Sequence, residues 1–141
     1  MRIAIINGPN MNLLGLRQPE LYGTMSFETY FEQLQKKYPA IKLVYYQSNH
    51  EGDIIDYLQK EGFAADGIVL NAAAYTHTSV AIRDAVLAIT TPVVEVHLTD
   101  ISHREKFRQF SFLTDVCKKT IIGKGLQGYA EAIDYLIALK K

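Results

Sequence analysis

The chain has 141 residues, of which 48% are hydrophobic and 21% are charged, and its formal net charge is zero. This length and composition fit one globular domain with a sizeable core, and the balanced charge gives no indication of nucleic acid or an anionic membrane as a partner. The single cysteine, Cys117, excludes a disulfide framework and a thiolate metal cluster.

The first residues of the chain and the lengths of its apolar runs indicate the cellular compartment in which the protein is expected. A strand is predicted from the third residue, which leaves no room for a signal peptide, and no apolar run approaches the length of a membrane span. We therefore expect a cytoplasmic protein. A neutral surface gives little charge repulsion between copies, which favours an oligomer.

A buried strand at residues 3–6 is the first predicted element, and it breaks on a Gly-Pro-Asn sequence. The residues that follow show no regular pattern for well over a dozen positions. They include Asn10, Arg17 and Tyr22, just outside the carboxyl end of a strand. Long loops in compact domains usually cover or bind ligands, so residues 11–24 are predicted to form a lid.

Helices and strands alternate along the rest of the chain. Ser26, Asn49 and either Thr78 or Ser79 are predicted N-caps, and Gly62 is predicted to follow a C-cap. Val80 and Ala81 are placed on the inner face of their helix. Further strands are predicted at 43–46, 67–71, 93–97 and 120–122, and helices at 27–38, 50–61, 80–89, 126–139 and, short and highly charged, from 103–108. Five strands and five helical segments favour a flavodoxin-like, doubly wound α/β fold with a five-stranded parallel sheet, as a single domain.

The sequence at 123–128 matches the glycine fingerprint of dinucleotide-binding proteins. Neither a further strand nor an acidic residue about twenty positions on follows it, so the glycines are better explained by a tight turn and close helix packing. The usual occupants of this fold are also disfavoured. The first loop lacks the hydroxyls of a flavin phosphate loop, and Asn7 and Asn71 stand where a phosphoaspartyl switch needs carboxylates.

Glu95 and His97 lie two positions apart on a predicted strand, so their side chains share one face. A carboxylate beside an imidazole favours its charged form and fixes the ring, which suits a general acid. A buried ion pair without a role is the alternative. The histidines show no recognised metal-ligand spacing, so no metal is predicted.

Residues 76–79 precede a helix, whose free N–H groups form a natural site for a carboxylate or phosphate. The backbone at Leu98 and Thr99 offers similar donors after the fourth strand. An anionic small molecule is therefore the expected ligand. In the first loop, Arg17 is suited to lowering the pKa of Tyr22, because a nearby cation favours the tyrosinate; packing of Tyr22 beside a solvated Arg17 is the alternative.

These residues together resemble type II 3-dehydroquinate dehydratase over nearly the whole chain. The resemblance is carried by Asn7-Gly8-Pro9-Asn10, Arg17, Tyr22-Gly23, Thr76-His77-Thr78-Ser79, Arg83-Asp84, Glu95-Val96-His97, Arg104, Arg108, Gly123 and Gln127-Gly128-Tyr129. It implies one catalytic domain over residues 1–141. It also implies a cofactor-free enzyme of the shikimate pathway or of quinate breakdown, assembled as a dodecamer of four trimers.

The resemblance also implies roles. Tyr22 would be the tyrosinate base, held ionised by Arg17 with help from Arg104. Asn10 would stabilise the enolate through a water, and His97, oriented by Glu95, would protonate the departing hydroxyl. The substrate 3-dehydroquinate would lose water by anti elimination and give 3-dehydroshikimate. Its binding residues would be Asn71, His77 and Arg108 for the ring hydroxyls, Leu98 and Thr99 for the carboxylate, and Asp84 from a neighbouring subunit.

Two positions depart from the family pattern. Ala72-Ala73 replaces a frequent Pro-Gly, and because alanine restricts positive φ, we expect a slightly different backbone path there. Thr99 stands where serine is commoner, and its methyl group is expected to crowd the carboxylate. Both changes are expected to alter affinity and not reaction type.

Two other functions stay open at this stage. A ligand-binding or signalling module on the same fold would need no tyrosine base. Schiff-base dehydration by a lysine would need an amine at a strand end in an apolar setting, whereas Lys42 and Lys119 lie at strand starts.

Overall fold

A five-stranded parallel sheet organises the computed structural model, which describes residues 1–16 and 18–141, with the backbone alone at Leu21 and Tyr22. The strands are β1 (Arg2–Asn7), β2 (Lys42–Gln47), β3 (Gly67–Asn71), β4 (Val93–His97) and β5 (Lys119–Ile122). Their spatial order is β2-β1-β3-β4-β5. This is the order of the flavodoxin-like doubly wound fold, so the predicted fold is confirmed.

Helices cover both faces of the sheet. They are α1 (Pro19–Tyr22), α2 (Phe27–Lys37), α3 (Glu51–Glu61), α4 (Val80–Ala88) and α5 (Gln127–Lys140). Two predicted N-caps are confirmed, because Ser26 Oγ accepts a hydrogen bond from the Thr29 N–H and Ser79 Oγ accepts one from the Ile82 N–H. The caps satisfy backbone donors that have no partner inside the helix.

Both predictions for the ends of α3 are wrong. The N-cap is His50 and not Asn49, and the His50 side chain makes no capping hydrogen bond. Gly62 is the C-cap itself, with a right-handed φ of −67°. A Cβ atom on Gly62 would lie 2.3 Å from Cγ2 of Ile89. Glycine is therefore required there by the close approach of Ile89, and not by a left-handed turn.

Two connections differ from their predictions. The segment predicted to begin a charged helix forms two 3-10 helices instead, Ile101–His103 and Lys106–Arg108. Its charged side chains provide no apolar stripe that could dock a longer helix on the sheet. The first loop, predicted to be irregular, contains a 3-10 helix, Met11–Leu13, in addition to α1.

The core forms two layers because side chains alternate along each buried strand. In β1, Ile3 and Ile5 face the layer of α2 and α5, whereas Ala4 and Ile6 face the layer of α3 and α4. On α4 the inner position belongs to Ile82, which is fully buried.

Val80 and Ala81, predicted to lie on the inner face of α4, are exposed instead. No helix among residues 1–16 and 18–141 has the length and apolar character needed to cross a membrane.

The chain reverses its winding direction between β1 and β3, where open sheets of this kind bind ligands. Asn7 and Asn71, the last residues of the two strands, pair in register. The Gly8 N–H donates to the Asn71 carbonyl at 2.8 Å, and a Cβ on Gly8 would lie 2.4 Å from the Ala72 carbonyl oxygen. Glycine at position 8 thus lets the two loops leave the sheet side by side.

Candidate active site

A cavity of about 130 Å³ lies at the carboxyl ends of β1, β3 and β4. Eight of the twelve residues that the sequence singled out line it: Asn10, Asn71, His77, His97, Leu98, Thr99, Arg104 and Arg108. Glu95 lies behind His97, and Asp84 on α4 is exposed and does not line the cavity. Arg17 and the side chain of Tyr22 lie outside the described residues.

His97 and Glu95 form a direct pair at the end of β4. The His97 Nε2 atom lies 2.7 Å from Oε2 of Glu95, and both side chains are buried. The two residues share a face of the strand, as their spacing predicts. Strand geometry therefore places the carboxylate beneath the ring, and the ring at the wall of the cavity.

Four hydroxyl groups surround the Glu95 carboxylate. Oε1 accepts hydrogen bonds from Thr114 Oγ1 at 2.9 Å and from Thr120 Oγ1 at 2.8 Å. Oε2 accepts from His97 and lies within hydrogen-bond distance of both Thr76 Oγ1, at 3.0 Å, and Ser111 Oγ. These two hydroxyls lie 2.6 Å from each other, so one of them donates to the other and the second donates to the carboxylate. Every lone-pair position of a carboxylate is thereby occupied. We call these four side chains the hydroxyl cage.

His97, assisted by the hydroxyl cage, keeps Glu95 ionised. Burial by itself raises the pKa of the carboxyl group, but the hydrogen bonds from His97, Ser111 and Thr114 outweigh it and lower the pKa to about 2. An ionised carboxylate accepts hydrogen bonds and donates none, so the hydrogen between the two residues belongs to His97 Nε2. The other ring nitrogen, Nδ1, is left for a ligand.

Sequence reasoning missed the hydroxyl cage. Its members come from the 3-10 helix Ala73–His77, from the connection between β4 and β5, and from β5 itself. One signal was available, because Thr120 lies next to Glu95 in the register of β4 and β5. Nothing in the spacing of Ser111 or Thr114 pointed to a carboxylate sixteen or more positions away.

His77 offers a neutral ring to the cavity. Its Nδ1 atom lies 2.7 Å from the Phe110 carbonyl oxygen, which only accepts, so Nδ1 carries the hydrogen. Burial, reinforced by the nearby His97, Arg108 and Arg104, lowers the pKa of His77 below its ordinary value of 6.5. The ring is therefore neutral at pH 7, and its Nε2 atom is a hydrogen-bond acceptor.

Two arginines bring positive charge to the same cavity. Arg104 donates to Thr99 Oγ1 at 3.3 Å, and Arg108 Nε donates to Glu105 Oε2 at 2.8 Å. The Arg108 guanidinium also stacks over the Phe107 ring at 5.1 Å. Because Glu105 lies outside the cavity lining, the charge facing a ligand is mainly positive, which favours an anion.

The glycine sequence at 123–128 supports the end of β4. The Gly123 N–H donates to the His97 carbonyl at 3.2 Å, and the Gly125 N–H donates to the Leu98 carbonyl at 2.9 Å. Both glycines have positive φ, and a Cβ on Gly128 would lie 3.3 Å from Val96. The prediction of a tight turn and close helix packing is confirmed.

Asn71 belongs to a buried chain of hydrogen bonds beneath the cavity. Its Nδ2 donates to Tyr129 Oη at 2.9 Å, and Tyr129 in turn donates to Asn7 Oδ1 at 2.7 Å. Burial raises the pKa of Tyr129, so its phenol stays protonated. The Asn71 Oδ1 atom accepts from the Ala73 N–H at 3.1 Å. Asn71 is therefore fixed at the base of the cavity with one Oδ1 lone pair left.

Ala73, one of the two departures from the family pattern, has a φ of 54°. It thus occupies the left-handed region that glycine favours, although its Cβ makes this conformation about 1 kcal/mol less favourable. Asn10, which also lines the cavity, is left-handed too, with φ 69°. Within the described part of the chain, no group of three or more His, Cys, Asp and Glu side chains is arranged to hold a metal ion.

The sheet order and the cavity at its switch point define a doubly wound α/β protein whose cavity is lined by two arginines. The chain belongs to the family described as class II dehydroquinases, whose model matches residues 1–137.

Relatives cover nearly the same length. A 3-dehydroquinate dehydratase of an Exiguobacterium species is 50% identical over 97% of this chain and 94% of that protein. One from Francisella tularensis subsp. novicida is 50% identical over 96% of this chain and 97% of its own. The crystal structure of type II dehydroquinase from Butyrivibrio crossotus superposes with a TM-score of 0.94 at 44% identity, covering 97% of each chain.

Proposed function

We propose that this protein is a 3-dehydroquinate dehydratase that removes water from 3-dehydroquinate by anti elimination through an enolate. The observation that carries the proposal is the buried Glu95–His97 pair, with His97 at the wall of an anion-favouring cavity. It occurs in a chain that belongs to the class II dehydroquinase family. The product would be 3-dehydroshikimate, an intermediate of the shikimate pathway or of quinate breakdown.

We assign the base to Tyr22, on the loop at residues 11–24 that follows β1. An isolated tyrosine has a pKa of about 10 and is a poor base at neutral pH, but a cation a few Å away lowers that value. Arg17 would supply this cation with help from Arg104, and the loop would close over the substrate as a lid. The tyrosinate would then take the proton from the carbon next to the ketone.

Asn10 would stabilise the resulting enolate through a water, as an oxyanion-stabilising group. His97 would complete the reaction as the general acid. With Nε2 donating to Glu95, the proton for the departing hydroxyl would come from Nδ1. The carbon–oxygen bond breaks, water leaves, and the electrons of the enolate form the new double bond and restore the ketone.

The remaining residues of the cavity would bind the substrate. Backbone N–H groups at Leu98 and Thr99 would hold its carboxylate. His77 Nε2, as an acceptor, would receive a hydrogen bond from a ring hydroxyl. Asn71 and Arg108 would contact the other hydroxyls. In this proposal every proton moves between substrate and protein side chains, without a metal or cofactor.

The deciding experiment mixes the purified protein with 3-dehydroquinate in EDTA and follows the near-ultraviolet absorbance of the conjugated enone product. Tyr22→Phe and a sample treated with borohydride in the presence of substrate run alongside. Tyr57→Phe is a matched control, because Tyr57 stacks on Tyr46 and does not line the cavity. We expect wild type and Tyr57→Phe to be active after both treatments, and Tyr22→Phe to lose at least about 100-fold in kcat.

Each departure from this result has a different meaning. Full activity in Tyr22→Phe would remove the base assignment, whereas inactivation by borohydride would indicate a lysine Schiff base. No product from folded wild-type protein would contradict the proposed reaction and favour a ligand-binding module.

We further propose a homo-oligomer, a dodecamer of trimers in which Asp84 reaches the cavity of a neighbouring copy. Val80, Asp84 and Leu87 follow helical spacing along an exposed stripe of α4, with Val80 52% and Leu87 61% exposed. Large apolar side chains exposed together on one helix face, as Val80 and Leu87 are, are typical of an interface. We expect sedimentation to give a multiple of the 15.9 kDa chain, and Leu87→Glu to give smaller species. A monomeric wild type would contradict the assembly.

A further inference from the structure

Asn49 connects three loops that meet beside the cavity. Its Oδ1 atom accepts a hydrogen bond from the Asn10 N–H at 2.9 Å. The same oxygen accepts one from Gln47 Nε2 at 3.2 Å, and the Asn49 carbonyl accepts one from Tyr75 Oη at 2.9 Å. The loops after β1, β2 and β3 are thereby joined through one residue.

Asn10 needs such a support because of its backbone conformation. It is left-handed, with φ 69° and ψ −1°, directly before the 3-10 helix Met11–Leu13. A residue with a Cβ adopts this region at a cost of about 1 kcal/mol, although asparagine tolerates it better than most. The bond to Asn49 holds the Asn10 N–H in this conformation, and the conformation directs the residue to the cavity that it lines.

Gln47 strengthens the support from the other side. Its Nε2 donates to the Gly8 carbonyl at 3.1 Å, two residues before Asn10. The bonds on either side of the turn restrict its backbone at Gly8 and at Asn10. Asn49 is free for this purpose because it does not cap α3, whose N-cap is His50.

We propose that Asn49 is a positioning residue for Asn10, fixing the turn that presents Asn10 to the enolate. The inference rests on the proposed function, because kcat depends on Asn10 only if Asn10 stabilises the enolate. It predicts that any change at Asn49 that keeps an acceptor oxygen is tolerated. Loss of the acceptor lowers kcat more than it alters KM, because the enolate forms only as the reaction proceeds.

The test is a double-mutant cycle of Asn49→Ala with Asn10→Ala, with Asn49→Asp as the matched control. We expect kcat to fall about tenfold in Asn49→Ala, with KM within about twofold of wild type. Asn49→Asp, which keeps the acceptor, should stay within about twofold in kcat. Asn10→Ala should lose about 100-fold, and adding Asn49→Ala should lower kcat no further.

If Asn49→Ala lowered kcat by the same factor in wild type and in Asn10→Ala, the inference would be overturned, because Asn49 would then act independently of Asn10. An unchanged kcat in Asn49→Ala would overturn it as well. Full activity in Asn10→Ala would instead contradict the role given to Asn10 in the proposed function.

Amide hydrogen exchange of the peptide covering residues 8–14 provides a readout that needs no activity. We expect faster exchange in Asn49→Ala than in wild type or Asn49→Asp, because the Asn10 N–H loses its acceptor. Equal exchange in all three proteins would show that Asn49 does not hold the turn.

Discussion

The two sides of the cavity are built in different ways. On the acid side, His97 and Glu95 stand on a buried strand, and the hydroxyl cage fills the remaining hydrogen-bonding positions of the carboxylate. On the other side, Asn10 lies in an exposed left-handed turn, and its N–H is held by a side chain from another loop. The first arrangement consists of buried side chains that are part of the core, whereas the second depends on a few hydrogen bonds at the surface.

This difference predicts which substitutions should affect folding and which should affect only the reaction. Groups on the acid side are desolvated, so removal of one leaves an unsatisfied partner in the interior. Groups on the loop side can turn to water when a partner is lost. We therefore expect substitutions on the acid side to lower kcat and stability together, and substitutions at Asn10 or Asn49 to lower kcat alone.

The largest effect is expected for Glu95→Gln. The amide can no longer accept from all four donors, and its NH₂ group faces hydroxyls that already donate. We expect a loss of about 2–4 kcal/mol in the free energy of unfolding and at least about 100-fold in kcat. Chemical denaturation and the enone assay measure the two quantities.

Glu61→Gln is the control for this change. Glu61 is another buried carboxylate, and it accepts hydrogen bonds from Arg2 and Tyr46 away from the cavity. It should lose similar stability and keep its kcat. If both variants lost the same activity, general destabilisation would explain the result and the comparison would fail.

Thr120→Val removes one donor of the hydroxyl cage while keeping the shape of the side chain. The Oε1 atom of Glu95 then keeps only Thr114 as a donor. We expect a loss of about 1–2 kcal/mol in stability and about two- to tenfold in kcat. Thr120→Ser keeps the hydroxyl and should restore kcat.

Thr91→Val provides the contrast to Thr120→Val. Thr91 is buried and donates to the Ala65 carbonyl at 2.9 Å, outside the cavity lining. It should lower stability by a similar amount and leave kcat unchanged. A normal kcat in Thr120→Val would mean that the hydroxyl cage is not needed for catalysis.

A smaller effect is expected from the protonation of His77. Its pKa is lowered, so the ring is neutral at pH 7 and accepts a hydrogen bond; it becomes a charged donor only as the pH falls below 6.5. We expect KM to be constant above this value and to rise as the pH falls through the pKa. His77→Asn, which has no titrating group, should have a higher KM at pH 7 that does not rise in this way.

The smallest effect concerns Ala73, between the two sides. Glycine relieves the strain of the left-handed φ but loses more entropy on folding, so Ala73→Gly should gain about 0.5 kcal/mol in stability with kcat unchanged. Its neighbour Ala74 has no positive φ, so Ala74→Gly should lose about 0.5–1 kcal/mol. Thermal or chemical denaturation compares them, and destabilisation by both changes would mean that Ala73 carries no strain.

Local sequence signals predicted most of the elements. The bounds of β3 and β4 agree with their apolar runs, and Ser26 and Ser79 cap as predicted. The failures occur where local and tertiary demands differ. Asn49 is a residue type that often caps helices, but its side-chain oxygen accepts a hydrogen bond from the Asn10 N–H instead. Gly62 is a residue type that often follows a helix, but glycine is needed there because Ile89 packs against it. The charged segment at 103–108 forms two 3-10 helices flanking the cavity in place of one helix.

The amino-acid sequence was enough to predict the alternation of strands and helices, the shared face of Glu95 and His97, and the family. These depend on spacings of a few residues, or on motifs that persist along the chain. The hydrogen-bond partners of the Glu95 carboxylate and of the Asn10 N–H, in contrast, depend on how distant segments pack. These partners come from separate segments, Thr76, Ser111 and Thr114 for Glu95 and Asn49 for Asn10. These segments are distant in sequence and meet only in the folded chain, so local sequence patterns do not predict their contacts.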